Sequence, residues 1–149
     1  MCRKGIITFV PIFFIISFLL IGGASAEEGE RSTCSHCGAE ILAENLKFSV
    51  NQPGAKPVSF ADIHHALLWR DGQCTALQYA FDGSALVYDY NTEEAIAIAD
   101  AWYVKSTEIS TPAGSGIIAF KDKALAEKFV SDKNSKILSY DDLLLLPLN

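Results

Sequence analysis

Two stretches decide the fold: Val58-Ser59-Phe60-Ala61-Asp62 and, sixty residues later, Ile118-Ala119-Phe120-Lys121-Asp122. Each combines strand-forming residues, a phenylalanine, and an aspartate suited to the start of a helix. The simplest interpretation is an α+β fold of two small, similar units. Each unit would contain a few strands with one helix packed on a face, over about residues 34–80 and 85–146.

The sequence around the first stretch predicts strands and one helix. Four extended segments are expected, at 47–51, 57–61, 76–79 and 85–90. A helix should begin at Ile63, capped by Asp62, and continue to about Arg70. Turns are expected between the first two strands, at Pro53 and Gly54, and before the last.

The second stretch lies in a similar series of elements. Strands are predicted over three segments, 101–105, 117–120 and 136–139. Helices are predicted over 123–130 and from a cap at Asp141 to Leu146. The alanine-rich segment 92–100 is expected to be helix or bridging coil.

The N-terminus has the features of a signal peptide. Arg3 and Lys4 precede the apolar run 6–21, and Ala24-Ser25-Ala26 supplies a small-residue cleavage site. These features predict residues 1–26 as a signal peptide and export to the periplasm or a similar compartment. The alternative is an uncleaved membrane anchor, because the run approaches the roughly 17 residues needed to span a bilayer. Glu27 follows the small residues, where a lipid-anchored protein has cysteine.

The charge of the exported chain excludes some classes of partner. Cleavage would remove Arg3 and Lys4 from the twelve basic residues, leaving ten against eighteen acidic ones and a net charge of −8. Such a chain is not expected to bind nucleic acid, and after cleavage it is not expected to bind membranes. Residues 27–33 are polar without apolar periodicity and predict a flexible leader before a domain over 34–149.

The clearest chemical motif is Cys34-Ser35-His36-Cys37, followed by Gly38. Two cysteines at this spacing bring their sulfurs onto one metal ion or onto each other, and glycine allows a tight turn. Three interpretations remain open: a metal site, a reversible disulfide and an inert disulfide. Three cysteines would remain after cleavage, and an odd number argues against a framework made of disulfides alone.

Further donors lie between the cysteine pair and Cys74. His64 and His65 are adjacent near the start of the predicted helix, so their side chains point about 100° apart and only one is expected to face a site. Structural zinc takes four ligands, whereas soft copper(I) accepts two or three. The candidate metal ligands are Cys34, His36, Cys37, His64, His65 and Cys74. Because no nucleophile, base and orienting group can be assembled, no enzyme is predicted.

Several motifs in order resemble those of the NosL family, accessory proteins linked to copper supply for nitrous oxide reductase. They are Cys34-x-x-Cys37-Gly38, Phe60-x-Asp62, Val87-Tyr88-Asp89-Tyr90, Ala101-x-Tyr103-Val104, Thr111-Pro112-x-Gly114-x-Gly116 and Ala119-Phe120. The resemblance implies two ββαβ-like units, similar to part of organomercurial lyase, and a copper(I) site.

The chain departs from the family at two expected copper ligands. Family members usually have methionine where this chain has Ala39 and Ala113, and only Cys37 carries over cleanly. The prediction is therefore a divergent exported carrier whose thiolate and imidazole groups hold copper(I), or zinc, for a client metalloenzyme or metal-delivery protein. The alternatives are a thiol–disulfide redox protein and an interaction module that does not bind metal.

Overall fold

The computed structural model describes residues 32–72, 81, 84–130 and 134–148. The predicted signal peptide, most of the predicted leader, Cys74 and the predicted strand 76–79 lie outside these residues. Within the described ranges, no helix is long and apolar enough to cross a membrane.

The first unit is a four-stranded antiparallel sheet with one helix. Its elements are β1 (Phe48–Val50), β2 (Val58–Phe60), α1 (Ile63–Asp71), β3 (Ala85–Tyr88) and β4 (Ala95–Ala97), and a 3-10 helix over Glu44–Leu46 precedes β1. The strand order is β2-β1-β3-β4. Phe48 lies opposite Phe60 on one side and Val87 on the other, which places these side chains on the same, buried face.

The second unit repeats this arrangement with three strands. Its elements are β5 (Trp102–Lys105), β6 (Ile117–Phe120), α2 (Lys123–Phe129), β7 (Lys136–Leu138) and α3 (Tyr140–Leu144). The strand order is β6-β5-β7. In both units two strands, a helix and a third strand follow one another, and the first strand is central. The predicted α+β fold of two similar ββαβ units is therefore confirmed.

The main core is shared between the units. Phe48, Phe60 and Leu67 of the first unit belong to the same buried cluster as Tyr103 and Ile117 of the second. All four residues of β6 are buried, because alternate side chains also face a second cluster that includes Phe120 and Ala126. Burial of both faces of β6 makes each unit depend on the other for its apolar contacts.

Asp89 joins the two sheets directly. It is 1% exposed, and one carboxylate oxygen accepts hydrogen bonds from the backbone N–H groups of Asn91 and Thr92. The other oxygen accepts one from the backbone N–H of Lys121, at 2.8 Å. Burial raises the pKa of Asp89, but the hydrogen bonds from Lys121, Asn91 and Thr92 outweigh it and leave the pKa below its ordinary value. The residue therefore holds the end of β3 against the end of β6.

Two local predictions need correction. Segment 92–100, expected to be helix or coil, contains β4 and a 3-10 helix over Ile98–Asp100, because pairing with β3 outweighs the helix propensity of alanine. The last helix is capped by Ser139 and not by Asp141. Ser139 and Asp142 form a capping box, which satisfies two backbone N–H groups at once.

Candidate metal centre

The cysteine pair lies in a tight turn. The N–H of Gly38 donates to the carbonyl of Cys34, and the N–H of Cys34 donates to the carbonyl of Ala39, both at 2.8 Å. Gly38 has a φ of 75°, the left-handed conformation that glycine adopts at low cost. These bonds close the turn that holds the two cysteines.

This turn is fixed to the first sheet rather than loosely attached to a leader. The N–H of Ser35 donates to the carbonyl of Ser59 in β2 at 2.8 Å, and Thr33 forms an isolated β-bridge with Glu40. Cys34 is consequently 1% exposed, while Cys37 is exposed. The pair therefore combines one buried and one exposed thiol.

The surroundings of Cys34 favour its ionised form. Burial raises the pKa of this thiol, but hydrogen bonds from the backbone at Ala61, Cys37 and His36, and from the Cys37 side chain, together lower it below its ordinary value. The thiolate is the form that binds metals. Cys34 and Cys37 are not joined in a disulfide, so both sulfurs are available as donors.

Helix α1 supplies the third donor. Asp62 has extended backbone and caps the helix by accepting a hydrogen bond from the N–H of His65 at 2.8 Å, as predicted. This places His65 in the first helical turn, just after the end of β2, to which the cysteine turn is bonded. Its side chain is 12% exposed. The imidazole therefore lies beside the cysteines without being free in solvent.

Cys34, Cys37 and His65 together form a candidate metal centre. One ligand atom from each residue lies within 4.8 Å of the other two. Two sulfurs and one imidazole nitrogen form a soft donor set that suits copper(I) in a three-coordinate site. The same three donors would bind zinc with one position left open.

The other described candidates, His36 and His64, lie outside this group. The ring of His36 is 5.2 Å from that of His65, centroid to centroid, at 37° between planes. The adjacent residue His64 is half-buried, and burial lowers its pKa. Asp62 opposes this effect, while the charges of His65, Lys105 and His36 lower the pKa further. Cys74 is outside the described residues. Of the five candidates that the structure describes, it brings three together, and their role as ligands stays a prediction.

Sequence reasoning missed the link between this site and the second unit. The second carboxylate oxygen of Asp62, a fully buried residue, accepts a hydrogen bond from the backbone N–H of Ala113 at 2.6 Å. Ala113 lies in the loop 111–116, at one of the two positions where the motif resemblance implies methionine. The shared motifs Phe60-x-Asp62 and Thr111-Pro112-x-Gly114 were the available signal, but a single sequence does not show that they touch.

Comparisons with known proteins agree with this architecture. The chain is similar to the crystal structure of the copper chaperone NosL from Shewanella denitrificans, with a TM-score of 0.51 and 19% identity over 74% of this chain and 88% of that one. No curated protein sequence matches the chain. The sequence model of the NosL family matches residues 28–144. The chain therefore belongs to the NosL family.

Proposed function

We propose that this chain is an exported copper carrier, with Cys34, Cys37 and His65 as its metal ligands. The convergence of these three donors within 4.8 Å is the observation that carries the proposal. Family membership and the shared fold with a copper chaperone support it. Its cargo is copper(I), with zinc as the alternative ion. Its client is a metalloenzyme or a metal-delivery protein, and its role is delivery rather than catalysis. The family resemblance implies nitrous oxide reductase as the client enzyme.

The two cysteines differ in a way that suits delivery. Cys34 is buried beside the start of α1, while Cys37 and His36 are exposed. A client donor can approach the metal from the side of Cys37, and ligand exchange can then proceed through a shared intermediate. A two- or three-coordinate copper(I) ion leaves room for such an incoming ligand. The buried thiolate of Cys34 would be the last protein ligand to release the ion.

A copper(I) titration against a competing chelator tests the proposal. The reduced protein lacking residues 1–26 should bind one copper(I) ion, and the double variant Cys34→Ser/Cys37→Ser should lose that binding. His65→Gln should weaken binding by about tenfold or more. The adjacent variant His64→Gln is the matched control and should bind as the unsubstituted protein does. Equal binding by the double variant and the unsubstituted protein would contradict the proposal.

Export has its own test. The intact mass of the protein recovered from the periplasm of its own cell should correspond to a chain that begins at Glu27. A mass that includes the first 26 residues would favour the membrane-anchor alternative.

A thiol–disulfide redox function is the second candidate. The side chain of Cys37 hydrogen-bonds to Cys34, whose pKa is lowered. In this reaction the two thiols would form one disulfide while an external disulfide is reduced to two thiols, so electrons and protons balance. The reduction potential of the pair tests this function. A value below about −300 mV would indicate a structural disulfide and exclude it.

A further inference from the structure

The contact between Asp62 and His65 involves more than the cap of α1. Oδ1 of Asp62 accepts the hydrogen bond from the backbone N–H of His65, and the same oxygen lies 3.1 Å from Nδ1 of the His65 ring. Nδ1 is buried and has no hydrogen-bond partner in the described part of the chain. The two atoms are within hydrogen-bonding distance, although their arrangement does not form a hydrogen bond. A buried ring nitrogen and a buried carboxylate oxygen thus face each other.

The charge of Asp62 restricts where the imidazole proton lies. If Nδ1 carried a lone pair, two lone pairs on buried atoms would oppose each other at 3.1 Å, which is unfavourable. A proton on Nδ1 turns the same contact into an attraction between an N–H group and a carboxylate. The neutral ring then has its lone pair on Nε2. In that tautomer Nε2 is the ring nitrogen left free to bind a metal.

The carboxylate itself is held in place. Its other oxygen, Oδ2, accepts the hydrogen bond from the backbone N–H of Ala113, so both oxygens are engaged from opposite units. Asp62 is fully buried, which excludes water as a competing partner. The orientation of the carboxylate toward His65 is therefore set by the helix start on one side and by the loop 111–116 on the other.

We propose that Asp62 is a positioning residue that fixes His65 as the tautomer with its proton on Nδ1 and Nε2 free for the metal. The inference rests on the proposed function for its purpose, since the tautomer matters only if His65 binds a metal. Metal-bound histidines commonly donate their other ring N–H to a carboxylate, which orients the ring and raises its basicity. In this chain the residue that caps α1 places a carboxylate oxygen 3.1 Å from that ring nitrogen.

Nitrogen NMR of the metal-free protein tests the tautomer directly. With ¹⁵N-labelled histidine at alkaline pH, where a free imidazole is neutral, the His65 signals should show Nδ1 protonated and Nε2 unprotonated. The variant His65→Gln assigns these signals by their disappearance. A majority of protein with the proton on Nε2 would overturn the inference, and this outcome does not depend on any variant folding correctly.

The variant Asp62→Asn tests the role of the carboxylate. The single oxygen of asparagine can still cap the helix, while its amide nitrogen cannot accept the hydrogen bond from Ala113. Because the remaining oxygen is neutral and a weaker acceptor, the tautomer should shift toward Nε2–H. Copper(I) affinity should fall by about 10- to 100-fold. Asp122→Asn is the matched control, since Asp122 holds the same position before α2 without a side-chain cap bond, and its effect should be under about twofold.

The outcomes separate this inference from the proposed function. A fall in affinity in Asp62→Asn with an unchanged His65 tautomer would show a merely structural role and overturn the inference. Absence of copper binding by the unsubstituted protein would instead contradict the proposed function. The tautomer of the metal-free protein would still decide whether Asp62 positions the ring.

Discussion

The two strand–helix segments of this chain, Val58–Asp71 and Ile117–Phe129, share a local design and differ in chemistry. Each has a phenylalanine at the end of its strand and an aspartate at the helix N-cap. Asp62 is fully buried and forms hydrogen bonds with His65 and Ala113, whereas Asp122 is exposed and forms no side-chain cap bond.

This difference is set by what packs against each segment. The cysteine turn is bonded to β2 and the loop 111–116 reaches Asp62, so polar groups converge at the start of α1. At the start of α2 the position equivalent to His65 is Leu125, which is partly exposed. The strand–helix unit therefore occurs twice, but among the described residues the candidate metal centre forms only at the copy with α1, where the cysteine turn and the loop 111–116 pack against the start of the helix.

The largest expected effect compares two glycines. Gly116, just before β6, has a φ of 65°, and an added Cβ would collide with the backbone oxygen of Ser106. Gly116→Ala should destabilise the protein by about 4 kcal/mol or more. Gly38 also has positive φ but open space around it, so Gly38→Ala should cost about 1 kcal/mol. Urea unfolding measures both, and equal losses would contradict the packing described here.

The second effect compares the two helix-capping aspartates. Asp62→Ala should destabilise the protein by roughly 3 kcal/mol, because it removes the cap of α1 and leaves the N–H of Ala113 without its acceptor. Asp122→Ala removes no side-chain cap bond and should cost no more than about 0.5 kcal/mol. Thermal unfolding of the two variants under one buffer condition checks this difference. Similar losses would show that the two units use their aspartates alike.

The third effect concerns the connection between the units. In Asp89→Asn one carboxylate oxygen becomes an amide NH2 group, which faces either the N–H of Lys121 or the N–H groups bonded to the other oxygen. Either orientation breaks a hydrogen bond, so the free energy of unfolding should fall by roughly 2 kcal/mol at neutral pH.

The pH dependence of this variant follows from the lowered pKa of Asp89. The carboxylate contributes its full stability above the unfolded-chain value of about 3.9, and that contribution is lost as pH falls toward the lower, folded value. Unfolding measured in acid should therefore depend less on pH for Asp89→Asn than for the unsubstituted protein. Parallel acid profiles would contradict the role given to Asp89.

The smallest expected effect comes from adding methionine at Ala113 and Ala39, the two positions where the family resemblance implies sulfur donors. Ala113→Met places a thioether on the loop that Asp62 holds, and it should raise copper(I) affinity by about tenfold relative to zinc affinity, because thioethers favour soft ions. Ala39→Met tests the corresponding position next to the cysteine turn. Competition titrations with both ions measure the change, and a gain in zinc affinity alone would contradict the expected donor chemistry.

Local patterns were sufficient for much of the fold. The predicted strand and helix positions on either side of Asp62 and Asp122 match the observed elements, because alternation, turn residues and capping residues act over a few neighbours. Segment 92–100 was the main exception, since its strand exists only through pairing with β3. The cap of the last helix was a second exception with a local cause: Ser139 and Asp141 compete within three residues, and Ser139 forms the capping box with Asp142.

By itself, the sequence determined the α+β class, the paired units, the family and the cysteine turn with its glycine. Those properties depend on residues close together in the chain or on the order of motifs along it. Only the tertiary structure decided that His65 rather than His64 joins Cys34 and Cys37, and that Asp62 links this site to Ala113, fifty-one residues away. Such contacts depend on how separate elements pack. Adjacent residues on a helix point about 100° apart, so only the packing of α1 against the cysteine turn decides which histidine lies beside the cysteines.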